Sequence, residues 1–108
     1  MKYRFTQTAT ETFQQVIDFY KDIDDTIALD SDIATNVVIE VNDAISRLLF
    51  FPQMGAMFEK ENGVRILMLA FHLGLLYYCE GKMLTIIAVV DLRQNPETYM
   101  DIVRKNRK

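Results

Sequence analysis

Arg65, His72, Tyr77, Tyr78, Asp91 and Arg93 are the side chains of this sequence suited to phosphate or proton-transfer chemistry. Cleavage of a phosphodiester needs positive charge where the pentacoordinate phosphate develops and a base to take the attacking proton. The cations here are scattered along the chain. Arg65 opens one predicted strand. Arg93 follows the end of another, two residues after Asp91, so an extended backbone sets the two on the same side, to interact with each other or with solvent. Asp91 has the chemistry of a base, but without neighbouring cations it would repel a phosphate. Tyr77 and Tyr78 point to opposite faces of a strand, one expected to pack and the other to be exposed. His72 falls at a strand junction and is expected in an ordinary turn. Cys79 is the one cysteine, which rules out an internal disulfide; it is expected to be a half-buried strand residue in a reducing compartment. One histidine, one cysteine and dispersed carboxylates make no metal set, and Gly55, Gly63, Gly74 and Gly81 stand singly and form no phosphate loop. No metal or cofactor is expected.

Charge distribution points the same way. The chain of 108 residues carries a formal net charge of −3. Four of its cations, Arg104, Lys105, Arg107 and Lys108, fall in the last five residues, which leaves residues 1–103 with eight positive and fifteen negative charges, a net of −7. Such a body repels nucleic-acid backbones, and only the tail attracts them or an acidic partner. Direct nucleic-acid binding is therefore not expected. The N-terminal stretch lacks the apolar core of a signal peptide, and no run of apolar residues is long enough to span a bilayer, so a cytoplasmic protein without a membrane segment is expected. The length suits one domain over residues 1–108, with the basic tail at 104–108.

The elements that must carry these residues can be read from periodicity. Residues 2–7 alternate as a half-buried strand, with Tyr3 and Phe5 on one side. Thr8 or Thr10 then caps a helix on which Ala9, Phe13, Val16, Ile17 and Tyr20 form an apolar stripe, ending near Ile23-Asp24. Asp30 and Ser31 cap a second helix whose stripe runs through Ile33, Val37, Val41, Ala44, Ile45, Leu48 and Leu49. Phe50-Phe51-Pro52 closes it; Phe50, Phe51 and Met54 could stand exposed beside Pro52, but packing at the helix end is the simpler expectation. A loop over residues 52–63, with an extended piece at Met57 to Glu59, leads to strands at Val64–Phe71, Leu73–Glu80 and Met83–Leu92. Gly81-Lys82 is the turn between the last two. The third of these strands is almost wholly apolar and is expected to be central. Asn95 and Pro96 open a final helix. The predicted class is α+β, ordered β-α-α-β-β-β-α, with an antiparallel sheet packed against a helical hairpin.

This order, with its segments, resembles the RelE/ParE toxin superfamily. The apolar run Ile45–Leu49 followed by Pro52 and Gly55 is similar to the end of that family's second helix. Gly63-Val64-Arg65 is similar to the triplet that opens its next strand. Tyr77-Tyr78-Cys79-Glu80-Gly81 resembles its aromatic pair and acidic-glycine turn, and Val89–Asp91, Arg93 and Asn95-Pro96 resemble its last strand and the start of its last helix. The resemblance covers residues 2–100 and is nearer the ParE branch. It implies the toxin of a two-protein system, neutralised by a small antitoxin, that inhibits a host protein such as DNA gyrase by contact. RelE-like members instead cut messenger RNA in the ribosome. Where they often carry an arginine, this chain has Gly74 and Ala88, and where they often carry a histidine it has Asp91. That leaves Arg65, Tyr77, Tyr78, Asp91 and Arg93 as catalytic candidates, and Arg65, Arg93, Arg104, Lys105, Arg107 and Lys108 as partner contacts, with a homodimer also open. Two further readings stand beside the toxin: a non-toxic binding or regulatory protein of the same fold, and a ribosome-dependent endonuclease.

Overall fold

A computed structural model describes residues 1–27 and 32–106. The elements are β1 (Lys2–Phe5), α1 (Gln7–Ile27), α2 (Ile33–Phe50), β2 (Ala56–Glu59), β3 (Val64–Met68), β4 (Leu73–Glu80), β5 (Met83–Asp91) and α3 (Pro96–Asn106). One five-stranded sheet has the order β1-β5-β4-β3-β2. It is antiparallel from β2 through β5, while β1 adds to β5 in parallel. The α+β class and the helical hairpin on the sheet are as expected. The extended piece after α2 is a strand in its own right, paired with β3.

The sheet has a core on each face. On one, Leu73, Leu75, Tyr77, Leu84, Ile86 and Val89 pack with Ala9 of α1 and Val37, Val41, Ala44, Ile45 and Leu48 of α2. On the other, Val64, Ile66, Leu76, Ile87, Ala88 and Val90 pack with Tyr99 and Val103 of α3. The apolar run of β5 is thereby explained: helices cover it on both faces.

The helix boundaries shift for local reasons. Thr6, between β1 and α1, is the cap in place of Thr8 or Thr10: its Oγ1 accepts from the Ala9 N–H at 3.0 Å and donates to the Ile87 carbonyl at 3.0 Å. The same hydroxyl thus starts a helix and ties it to β5. α1 runs on past Asp24, whose carboxylate accepts the N–H groups of Ile33 and Ala34, both at 2.9 Å. A side chain from one helix therefore caps the other. Asp30 and Ser31, the expected caps, lie outside the described residues.

Two turns hold the sheet. Gly81 has φ +60°, and Glu80 pairs with Met83 across Gly81-Lys82, as a two-residue turn with glycine at its first central position requires. β3 stops at Met68, short of the expected Phe71, because residues 70–73 form a second tight turn. Its central residues, Phe71 and His72, both adopt left-handed backbone with φ of 63° and 57°. Among the described residues, no helix is long and apolar enough to cross a membrane.

Candidate functional site

A cavity of about 980 Å³ opens where the C-terminal end of α2 overhangs the sheet. Register builds its floor: Met57, Arg65 and Tyr77 are partners across β2, β3 and β4, so their side chains share a face. Cys79, two residues along β4, joins them at the cavity, with Phe50, Phe51, Pro52 and Met54 forming the overhang. Among the described residues that line it, Arg65 is the one charged side chain.

The overhang is fixed from below. The buried Tyr77 hydroxyl donates to the Pro52 carbonyl at 2.7 Å and accepts from the Gly55 N–H at 2.9 Å. Burial is the main cause that raises the Tyr77 pKa, so this hydroxyl stays neutral and acts as a structural link. Arg65 holds the same loop from its other side, with Nη1 donating to the Gly55 carbonyl at 2.7 Å and more weakly to Gln53 at 3.4 Å. Phe51 ends α2, its N–H bonded to the Arg47 carbonyl. The expectation that Phe50, Phe51 and Met54 pack at the helix end is corrected: all three are exposed, Phe50 to 81 % and Phe51 to 66 %. Pro52 and the Tyr77 link direct the chain under the helix, and the two phenylalanines are left outside it.

The other candidates lie apart. Tyr78 is on the opposite face and is buried, so both tyrosines pack, against the expectation that one would be exposed. Its hydroxyl accepts from Arg4 Nη2 at 3.2 Å, and Arg4 Nε donates to Thr85 at 3.0 Å, a row across β4, β5 and β1 that periodicity alone did not reveal. Cys79 is exposed, not half-buried; it sits near the end of β4 that the Gly81-Lys82 turn closes, with Sγ 3.9 Å from the Met1 sulfur.

At the far end of β5, Arg93 donates to both Asp91 oxygens, at 3.0 and 2.9 Å, and its backbone N–H caps the same carboxylate. The Arg93 hydrogen bond holds the Asp91 carboxyl below its usual range, and Asp91 in turn raises Arg93. The expected pairing is present, and it removes both groups from free acid–base work. A second cavity of about 440 Å³ lies beside this pair, between α1 and α3. In the tail, Arg104 pairs with Asp101 at 3.1 Å in an exposed contact, and Lys105 is on the last turn of α3. Arg107 and Lys108 lie outside the described residues.

The two positions where an arginine would serve RNA cleavage are closed by packing. Ala88 is fully buried. A Cβ at Gly74 would stand 2.9 Å from both Ile66 Cδ1 and Leu92 Cδ2, in the core under α3. Among the described residues, no three histidine, cysteine or carboxylate side chains gather as metal ligands.

No family model matches the sequence. No curated protein matches it at a significant level. Solved structures do match, among them one described as a chromosomal ParDE TA system from P. aeruginosa, at a TM-score of 0.65 and 18 % identity, covering 86 % of this chain and 97 % of that one. The chain shares the fold of that structure. The likeness is one of architecture.

Proposed function

We propose that this chain is the toxin-fold partner of a two-protein toxin–antitoxin pair, ParE-like, acting by contact with a host protein such as DNA gyrase and neutralised by a small antitoxin. The observation that carries this reading is the chemistry of the main cavity. Its described lining is mostly apolar, with Phe50, Phe51, Pro52 and three methionines beside Gln53, Tyr77 and Cys79, and carries one guanidinium, which suits a protein surface and not a phosphodiester. The closed positions at Gly74 and Ala88 and the self-neutralised Asp91–Arg93 pair agree with it. A cationic set for pentacoordinate phosphate has no place to assemble among the described residues.

The test is controlled induction of the full chain in a bacterial culture, followed by two separate readouts. Growth arrest with trapped DNA breaks and intact translated message is the expected result. Arrest with message cleaved at the ribosome would overturn the contact mechanism in favour of an endonuclease. Normal growth with abundant folded protein would remove the toxin reading and favour a binding or regulatory protein, for which the acidic body of the chain, −7 over residues 1–103, is the supporting observation.

A further inference from the structure

We infer that the cavity beneath the end of α2 is a binding site for a small amphiphilic monocarboxylate, a fatty acid of medium chain length, with its head group on Arg65 and its chain along the phenylalanines and methionines of the lining. This goes beyond the proposed contact with a host protein and does not depend on it.

Arg65 is held by one nitrogen. Its Nη1 donates to the carbonyls of Gly55 and Gln53, at 2.7 and 3.4 Å, while Nε and Nη2 make no bond among the described residues. Those two nitrogens form one edge of the planar guanidinium, a fork that matches two carboxylate oxygens. The same chain shows what such an edge takes: Arg93 uses its own Nε and Nη2 to grip both oxygens of Asp91, at 3.0 and 2.9 Å. Arg65 presents the equivalent fork, oriented by the loop and unfilled by the described chain. No carboxylate lines the cavity among the described residues, and Glu59, on the adjacent β2, has both oxygens committed to Glu61 and Asn62.

Charge and shape narrow the ligand. One guanidinium in a body of net charge −7 over residues 1–103 balances a single negative charge, so a monocarboxylate fits better than a dianionic phosphate ester. The volume of about 980 Å³ lies at the upper end of the roughly 300–1,000 Å³ of small-molecule sites. The lining runs from Met57 on β2 past Arg65 on β3 to Cys79 on β4, so the site is a trough about 10 Å across the strands and suits an elongated chain. Phe50, Phe51, Met54 and Met57 stand exposed around it. The two methionines are unbranched and adapt to a flexible chain. The aromatic wall is preformed, because Tyr77 ties down Pro52 and Gly55 directly after it. A second copy brings no carboxylate: a two-fold contact would lay this lining, which has none among its described residues, on itself.

The test is calorimetric titration of the purified full chain with dodecanoate, kept below its micelle-forming concentration. Saturable binding of one equivalent is expected. Dodecanol, which has the chain without the charge, should bind about tenfold or more weakly. Arg65→Gln, verified as folded, should weaken dodecanoate by about tenfold or more and leave dodecanol unchanged, whereas a merely structural role of Arg65 in the loop would weaken both alike. Arg65→Lys keeps the charge without the fork and should restore only part of the affinity. Phe51→Ser should weaken both ligands, and Phe19→Ser on α1 should weaken neither. Absence of binding, uptake without saturation, or dodecanoate binding that ignores Arg65→Gln would overturn the inference. Full affinity in Arg65→Lys would overturn the fork. Tighter binding of dodecyl phosphate than of dodecanoate would assign the site to a phosphate, and concentration-dependent dimerisation lost in Phe51→Ser would assign it to a second copy; either overturns the carboxylate. Because binding is read on purified protein, its failure is distinct from failure of the growth-arrest reading.

Discussion

The hydroxyl of Tyr77 occupies the space that a side chain at residue 55 would need. A Cβ built on Gly55 falls 2.7 Å from the hydroxyl oxygen, 2.8 Å from a ring carbon of Tyr77 and 2.9 Å from the Ile66 carbonyl. Glycine at 55 is therefore a requirement of close approach and not of backbone angle. Gly55→Ala should cost roughly 1–3 kcal/mol by overpacking. Tyr77→Phe should cost about 1–2 kcal/mol by leaving the Pro52 carbonyl and Gly55 N–H without their partner. Removing the hydroxyl should not rescue Gly55→Ala, since the ring carbon and the carbonyl still obstruct the methyl. Urea unfolding of both single variants and the double variant checks this, and a neutral Gly55→Ala would refute it.

Thr12 carries a similar burden on the sheet's other side. β1 pairs with β5 only as far as Ile86, so the outer edge of β5 continues without a strand. α1 supplies the missing partners: Thr6 bonds the carbonyls of Ile86 and Ile87, and Thr12 Oγ1 accepts from the Val89 N–H at 3.0 Å. Thr12→Val keeps the shape and removes the acceptor. It should destabilise by about 1–3 kcal/mol, with faster amide exchange at Val89. An unchanged midpoint and unchanged exchange at that amide would show that the bond contributes nothing.

These two residues mark where the sequence was legible. Alternation and helical spacing reported the apolar faces, and therefore the hairpin, β3 to β5 and the order of elements, because burial against one neighbour imposes period. The positions that mattered most at the site answer to contacts distant in sequence. Tyr77 meets Pro52 and Gly55 across more than twenty residues, Arg4 meets Tyr78 and Thr85, and Thr12 meets Val89. No local pattern encodes such pairs. Phe50 and Phe51 misled for a related reason. An aromatic pair at a helix end has the composition of core, and only the path of the chain after Pro52 decides that it faces outward. The closeness of Asp91 and Arg93, by contrast, needs only two residues of extended chain and was readable.

The turn at Phe71-His72 gives a third prediction. Both residues hold left-handed backbone, which costs a side-chain-bearing residue on the order of 1–3 kcal/mol. Three bonds clamp the turn: Glu40 accepts from the Ala70 N–H, Tyr20 donates to the Phe71 carbonyl, and the Leu92 N–H donates to the His72 carbonyl. Phe71 also packs its ring on Tyr20, so His72, whose side chain is exposed, is the position to vary. His72→Gly should be neutral or stabilising by up to about 1 kcal/mol, whereas His72→Val should destabilise by about 1–2 kcal/mol. The order Gly, His, Val in thermal midpoint is the check, and a valine variant as stable as wild type would contradict the strain.

Asp91 gives a pH dependence. Its folded pKa is lowered, chiefly by the Arg93 hydrogen bond, so its contribution is present above the unfolded carboxylate pKa and is lost as pH falls through the folded value. Below about pH 4, where unfolded aspartate takes up its proton, the wild type should lose stability more steeply than Asp91→Asn. Near neutral pH the wild type should be the more stable of the two, by an amount that high salt diminishes because Arg93 is exposed. Thermal midpoints measured for both proteins at several pH values between acid and neutral supply the test. Parallel curves would mean that the ion pair has no linkage to folding.

The surface phenylalanines should separate stability from activity. Phe50→Ser and Phe51→Ser remove side chains that are largely in solvent, so each should change unfolding free energy by no more than about 0.5 kcal/mol. A core change of comparable size, Leu48→Ala, removes a fully buried side chain and should cost about 2–5 kcal/mol. If the cavity is where the chain engages its partner, the two serine variants should lose growth arrest on induction at unchanged folded level, while the core variant loses arrest only in proportion to lost folded protein. Soluble amount, circular dichroism and growth measured together distinguish the two routes. Full arrest by the Phe50→Ser, Phe51→Ser double variant would remove this cavity from the mechanism and direct attention to the groove between α1 and α3, where Asp91 and Arg93 lie.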